Sequence, residues 1–525
     1  MSYSFNLIDE SWIPCILSDG GRETLSLRAT LLRARELRGI QGESPLETAA
    51  LYRLLLAVLH SALRGPRTNA GWLSCWKRDH WEPELVNQYL ERWSDRFDLF
   101  HPHKPFFQAV DARAKPKSVI TLVMDMASGN NAALFDHHTE ETGAALSPAQ
   151  AARSLLVMQN FGLAGLWLNG VTFTDSPWSR GIIFLLEGDN LFQTLALNLL
   201  PYPDEDVRPS RASDAPAWEK EDPYQPARQI PEGYLDYLTW QSRRIQLIPE
   251  GDDRLPVVRR MTMAPGLRLD GAILDPMKNY RKNVEKEIWQ STRFLEDRSL
   301  WRDSASFLSL KSETGRAPQS FSWLLDRLDG AEEQKFRYMA LGMANDQAKV
   351  EFFREEHLPL RVEYLSNEDL ISNLRNALDL AEKARSALRH ASQWMALLVI
   401  SPKSDGMKRQ EISKISKGQA DQLAKQWSPD RFYWQRLEIP FLRLLENLPE
   451  RPEALGEWKE IVFRAAWAAL EQAASYAGTD ASALKASVRA RSKLGQELKA
   501  LFPDRNLTED EVPVNQTKMQ QEATV

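Results

Sequence analysis

Glu368-Asp369-Leu370-Ile371-Ser372-Asn373-Leu374-Arg375-Asn376-Ala377-Leu378-Asp379-Leu380-Ala381 opens the part of the chain whose reading decides the fold. From there Leu370, Leu374, Ala377, Ala381, Ala384, Leu388, Ala391, Met395 and Leu398 alternate steps of four and three without a break. That spacing puts apolar side chains on one stripe of a helix, the seam of a bundle. Three further helical segments follow over 431–448, 452–477 and 480–502, with Gly478 placed to stop one helix and Asp480 to cap the next. Four helices joined mostly by short connectors predict a four-helix bundle.

Upstream the texture is mixed. Residues 5–16 read as a short strand pair, and 26–37, 44–63, 81–97 and 148–161 as helices. In the second of these helices Ser44 can cap, Pro45 takes the first position and Glu47 completes a capping box. Residues 119–124 and 181–186 read as strands, 234–248 as helix then strand with Arg243 and Arg244 at the junction, and 275–282 as a cationic loop. The expected fold class is α+β: a large mixed α/β domain over 1–362, a four-helix bundle over 363–503, and a polar, disordered tail over 504–525.

A chain of 525 residues exceeds one core, and 43% hydrophobic content leaves ample apolar area for two. The net charge of −6 gives no global nucleic-acid signal, so such binding would need local basic patches or basic partners. Cys15 and Cys75 stand far apart and exclude a disulfide framework or a cysteine zinc site, which points to a reducing cytoplasm. Residues 1–10 carry acids where a signal peptide needs a basic start, and no apolar run reaches the roughly 20 residues of a membrane span.

Residues 342–357, Gly-Met-Ala-Asn-Asp-Gln-Ala-Lys-Val-Glu-Phe-Phe-Arg-Glu-Glu-His, follow a helix-like segment and are rich in small and polar side chains. In an extended conformation Asn345, Gln347 and Lys349 point one way, as amides that read base edges beside a cation for phosphate would. The bland alternative is a turn in which Asn345 or Asp346 caps a following helix. Gly162-Leu163-Ala164-Gly165 offers backbone that can approach another surface closely, or is simply a helix stop. Lys278, Arg281 and Lys282 form a basic loop, and Lys485, Arg489 and Lys493 a positive stripe at steps of four; each is a phosphate contact or a solvated face. The enzyme-like cluster is Asp136-His137-His138, with His101 and His103 as further candidates, which could serve a metal-dependent nuclease. Its order is not that of the metal phosphohydrolase doublet, and no phosphate loop, serine elbow or Cys–His signature is present. No catalysis and no cofactor are expected.

In order and spacing these stretches resemble the CasA family, the large subunit of the type I-E CRISPR surveillance complex Cascade. The likeness spans nearly the whole chain. It rests on Leu7-Ile8-Asp9-Glu10-Ser11-Trp12-Ile13-Pro14, Pro105-Phe106-Phe107-Gln108, Leu134-Phe135-Asp136-His137-His138-Thr139, Tyr237-Leu238-Thr239-Trp240-Gln241-Ser242-Arg243-Arg244, Glu296-Asp297-Arg298 with Leu300-Trp301-Arg302, and Asn345-Asp346-Gln347-Ala348. The resemblance implies recognition of the protospacer-adjacent motif (PAM) of double-stranded DNA from the minor groove. It assigns Gly162 to Gly165 as a glycine loop and Lys282, with Lys278 and Arg281 close by, as a lysine finger. It assigns Gln347, flanked by Asn345 and Ala348, as a wedge that starts strand separation. It also implies that the loop of Phe135, Asp136, His137, His138 and Thr139 anchors the subunit to the 5′ handle of the guide RNA (crRNA) and a neighbouring subunit. The implied partners are the other Cascade subunits, the crRNA, target DNA and a recruited helicase–nuclease. Leu163 and Ala164 inside the glycine loop depart from the family pattern, as does the lack of a cysteine cluster that some members carry.

Overall fold

The computed structural model describes residues 3–124, 144–168, 170–200, 213–252, 255–310, 312–327, 335–346, 349–405 and 414–503. Phe135, Asp136, His137, His138, Thr139, Gln347, Ala348 and the tail beyond 503 lie outside them, so the readings placed there are not addressed by it. The chain divides into two compact units, Met1–Leu300 with Ser306–Ser366, and Trp301–Ala305 with the residues from Asn367 onward.

The first unit is built around the helix Pro45–Leu63, of whose 19 residues 15 are buried. It is mostly apolar and buried on every side, and the few polar groups it buries, such as Glu47 and Arg53, are paired. By length and composition this helix could cross a membrane, contrary to the expectation above, but 83% of its apolar window is buried inside the protein. Ser44 caps it as expected, accepting from the N–H of Glu47 at 3.3 Å. The capping box is not closed, since the Glu47 carboxylate accepts from the Glu43 N–H and pairs with buried Arg153 at 2.6 Å. A closed box stands instead at Ser147 and Gln150, ahead of the helix Pro148–Phe161.

Small antiparallel sheets make up much of the rest of this unit. Ile13–Leu17 lies between Arg22–Leu25 and Leu37–Ile40, and Lys335–Asp346 lies between Lys349–Arg361 and Ile183–Glu187. Leu255–Pro265 pairs with Arg243–Asp252 and the short Lys117–Ser118, and Tyr280–Asn283 with Ile288–Ser291 and Gly315–Arg316.

Several expectations are corrected here. Residues 119–122 form a 3-10 turn instead of a strand, and the 26–37 helix stops at Leu32 so that Leu37–Ile40 can join the first sheet. The strand pair expected over 5–16 reduces to Ile13–Leu17, while Asn6 makes one bridge to Asp98. The largest correction concerns 342–357. Among the described residues the stretch belongs to two strands of 12 and 13 residues and not to the end or start of a helix; they run antiparallel, with Asp346 opposite Lys349. Tyr338 to Ala344 are buried without a break because this strand is the central one of its sheet, and the turn that Asn345-Asp346 signals is the reversal of the hairpin, not a helix cap.

The second unit is a helical bundle. Glu368–Ile400 is its axis, and Pro429–Asn447, Ala454–Ala477 and Ala481–Leu501 lie against it. Eight of the nine seam positions are buried; at the first turn Ile371 takes the place of Leu370. The many alanines of the seam let neighbouring helices approach closely enough that Trp458 Nε1 and the Tyr433 hydroxyl donate to the carbonyls of Ala377 and Ala381, each at 2.9 Å. Trp301 stacks on Phe441 at 4.5 Å between centroids, and Arg302 pairs with Glu382, which explains why this short segment belongs to the bundle. A fifth helix, Lys414–Gln426, also packs on the axis and was not expected.

Candidate nucleic-acid interface

Three of the stretches singled out in the sequence lie in the first unit, and one segment, 175–184, touches all three. Asp175 Oδ1 accepts the Ala164 N–H at 2.8 Å, and the Ser176 N–H donates to the Gly162 carbonyl at 2.8 Å. The Pro177 carbonyl accepts from Lys278 Nζ at 2.7 Å. Ile182 N–H donates to Thr292 at 3.0 Å and Phe184 N–H to Met277 at 2.7 Å, so the basic hairpin Tyr280–Asn283/Ile288–Ser291 is held at both flanks. Ile183 pairs with Leu341, and a side chain on the next residue, Gly342, would come within 3.1 Å of the Gly181 carbonyl. From Gly342, Asn345 is three residues or roughly 10 Å further along the strand. Gly181 itself has φ +90°, and an added Cβ would meet Ser291 at 2.6 Å. Only glycine fits that junction.

Within the glycine loop the four residues behave differently. Gly162 is buried at the end of the helix Pro148–Phe161; a Cβ there would sit 2.7 Å from the Met158 carbonyl and 2.9 Å from Arg243 Nη2. Leu163 packs its side chain against the hydrophobic core, so its bulk is turned away from any approaching surface. Gly165 has open space where a Cβ would be, and Leu166 beyond it is 86% exposed. The close-approach reading therefore fits the Gly165 end of the loop.

The basic stretch separates too. Lys278 is buried, and burial pushes its ammonium down from 10.5 to about 8 despite the nearby Asp275 carboxylate. Its expected part in DNA contact is corrected: an ammonium fixed on Pro177 is a structural anchor. Arg281 and Lys282 instead lie on a strand at the surface, with the Arg281 guanidinium 3.2 Å from the Ser306 hydroxyl. The Lys282 side chain makes no hydrogen bond or ion pair among the described residues. Sequence reading missed Arg293, exposed one residue after Thr292 and also without a partner among the described residues. Nothing local marks it; only the bonds of Thr292 to Asn279 and Ile182 bring it here.

At the long hairpin, a register shift between Ala344 and Asn345 re-aims the last residues before the turn. The chain then reverses, so Lys349 faces back along the partner strand. The expectation that Asn345, Gln347 and Lys349 share one face of a single extended run is corrected to that extent.

In the second unit, Lys485 and Arg489 each pair with Asp405 at 3.2 Å, and Lys493 pairs with Glu497 at 3.2 Å. The stripe exists but is partly neutralised. Arg489 and Lys493 border a cleft of about 1040 Å³ that also holds Arg389, Trp394 and Lys417.

As for the metal-nuclease alternative, His101 Nδ1 accepts the N–H groups of His103 and Lys104 and so caps its own turn. Among the described residues no group of three or more His, Cys, Asp or Glu side chains could hold a metal ion.

The model of the family described as CRISPR-associated protein Cse1 matches residues 6–469. The chain belongs to the Cse1 family. It is 36% identical over 512 residues to a CRISPR-associated protein CasA/Cse1 of Thermus thermophilus, covering 94% of this chain and 97% of that one. The solved structure of Thermus thermophilus CasA (Cse1) is similar at a TM-score of 0.79 and 33% identity, over 95% of this chain and all of that one (100%). A chain of a CRISPR RNA-guided surveillance complex shares the fold at a TM-score of 0.75 and 22% identity, over 94% of this chain and 100% of that one. The mixed first unit and helical second unit are thus those of Cse1 structures.

Proposed function

We propose that this Cse1-family chain is the non-catalytic large subunit of a type I-E CRISPR surveillance complex, reading the PAM of duplex DNA from the minor groove and starting duplex opening. The observation that carries this reading is the convergence on residues 175–184 of the glycine loop, the basic hairpin and the long hairpin. A backbone loop without bulk, a cation beside it and an amide-bearing turn are what a minor-groove reader needs to approach, hold and wedge a base step. Lys282, with Arg281 and Arg293, supplies phosphate contacts; Gly165 and its neighbours meet the groove; Asn345, Gln347, Ala348 and Lys349 enter below the motif. Phe135, Asp136, His137, His138 and Thr139 anchor the subunit to the crRNA 5′ handle and an adjoining subunit. Lys485, Arg489 and Lys493 run along DNA backbone. A helicase–nuclease recruited to the complex performs the cleavage. Since guide pairing reads the target, the protein need discriminate only a short motif.

The test is Gln347→Ala in the assembled complex. Unwinding of motif-bearing duplex should fall far more than binding to a target whose strands are already open. Equal losses on both substrates would refute the wedge, and plasmid cleavage by the purified chain with Mg²⁺ or Mn²⁺ alone would refute the non-catalytic assignment.

A further inference from the structure

We propose that Asp175 and Arg243 are positioning residues that preset the backbone of the glycine loop, fixing which of its polar groups remain to meet a base-pair edge. The inference rests on the groove-reading function above and deepens it.

Arg243 lies at the start of the strand Arg243–Asp252 and is 1% exposed. Its Nη2 donates to the Leu163 carbonyl and its Nη1 to the Ser242 carbonyl, both at 2.9 Å, while its guanidinium lies over the Phe173 ring at 4.8 Å. Its own backbone is fixed in turn: the N–H donates to Gln159 Oε1 at 3.0 Å, and the carbonyl accepts from Gln159 Nε2 at 2.8 Å and the Tyr224 hydroxyl at 2.7 Å. A planar fork held on both sides has little freedom left, so the carbonyl it grips is fixed with it. From the other side Asp175 Oδ1 takes the Ala164 N–H, and Arg180 braces both Asp175 oxygens at 2.9 and 3.2 Å.

The consequence is a census of the loop's backbone. Gly162 N–H and C=O are engaged by Met158 and Ser176, the Leu163 carbonyl by Arg243 and the Ala164 N–H by Asp175. Among the described residues, the Leu163 N–H and the Ala164 carbonyl have no partner. One donor and one acceptor therefore remain on adjacent residues. That matches the needs of a minor-groove edge, where every pair offers acceptors and guanine adds an amino donor. Were Asp175 absent, the peptide between Leu163 and Ala164 would be held from the Arg243 side alone, and the released Ala164 N–H would compete as a second donor for the same edge.

The test uses the chain assembled in its complex and a duplex library randomised at the motif positions. Asp175→Ala, at a half-exposed side chain, should flatten the ratio between best and worst motifs by about tenfold, the worth of one hydrogen bond to a charged group. Binding to a pre-opened target should stay at the wild-type level. Asp175→Asn, whose amide oxygen still accepts from Ala164, should restore most of the preference, and Arg243→Lys should flatten it without rescue. An unchanged motif profile in Asp175→Ala would overturn the proposal. So would a loss that falls equally on all duplexes and on the pre-opened target in step with a lowered melting temperature. A wild-type complex without any motif preference would instead overturn the groove-reading function on which the proposal rests.

Discussion

Lys278 Nζ lies 2.7 Å from the carbonyl oxygen of Pro177, enclosed in the protein, while Lys282 four residues on is at the surface. The two lysines should therefore respond differently to removal. Lys278→Ala is expected to lower stability by about 2–3 kcal/mol, through a lost charge-assisted hydrogen bond and a cavity, and to weaken DNA binding only as folded protein is lost. Lys282→Ala should leave the melting temperature unchanged, weaken duplex binding and lower the salt dependence by roughly one phosphate contact. Thermal melts beside binding titrations at two salt concentrations decide it; a stable Lys278→Ala protein that no longer binds duplex would return Lys278 to the interface.

Gly162 and Gly165 are set apart by what surrounds them. A methyl at Gly162 would press on the Met158 carbonyl at 2.7 Å and on Arg243 Nη2, whereas one at Gly165 would touch nothing within 4 Å. Gly162→Ala should cost about 1–3 kcal/mol, as overpacking does. Gly165→Ala should fold as well as the parent and bind motif duplex several-fold more weakly, since the added carbon stands where the groove must come close. Equal melting temperatures for the two variants would contradict this division.

How far the sequence could be read depends on the range of the forces involved. The seam from Leu374 to Leu398 was legible because helical burial repeats within a few residues. The helix Lys414–Gln426 was not, since it carries Gly418 at an interior position and its 13 residues are too few to repeat a stripe as the 33 of the axis helix do. The turn signal of Asn345-Asp346 was sound, but the strands on either side of it were missed: Tyr338 to Ala344 are buried without alternation, and the partner that confirms the central strand, Ile183–Glu187, is far away in the chain. The candidate groups of the site were recognisable as types, but their sorting was not. Arg243 grips Leu163 across 80 residues and Lys278 reaches Pro177 across 101, and no local pattern encodes either contact.

Two buried or half-buried groups give the protein a testable response to pH. His357 Nδ1 is 2.9 Å from Glu187 and its Nε2 is 2.9 Å from Glu355, and these hydrogen bonds raise the imidazolium from 6.5 to about 9. Between those values the folded protein holds a proton that the unfolded chain has released. The stabilisation is therefore complete below 6.5 and lost as pH rises through about 9. Lys278 works in the opposite sense: burial lowers it from 10.5 to about 8, so its cost is full below 8 and is relieved as pH climbs to 10.5. His357→Gln should lose about 1 kcal/mol at neutral and acidic pH, allowing for solvent screening of a side chain one-third exposed, and almost nothing at alkaline pH. Denaturant titrations across this range check it. A loss of the same size on both sides of the window would mean that the ring acts by packing and not by charge.

In the helical bundle the decisive group is Asp405, whose Oδ2 meets both Lys485 Nζ and an Arg489 guanidinium nitrogen at 3.2 Å. Those hydrogen bonds hold its carboxyl below the usual range, so it is ionised wherever the protein is folded near neutrality. A carboxylate in that position competes with phosphate for the same two cations. If the stripe runs along DNA backbone, Asp405→Asn removes the competitor, so the assembled complex should bind duplex several-fold more tightly, with a salt dependence steeper by about one released counterion. Lys485→Ala with Arg489→Ala should have the opposite effect, uniformly across motif sequences, because phosphate contacts carry no base information. If instead the stripe is a solvated face, Asp405→Asn will alter neither affinity nor its slope with salt. Because both cations are exposed and such surface pairs are weak, neither substitution should shift the melting temperature measurably, which keeps the binding result free of a folding artefact.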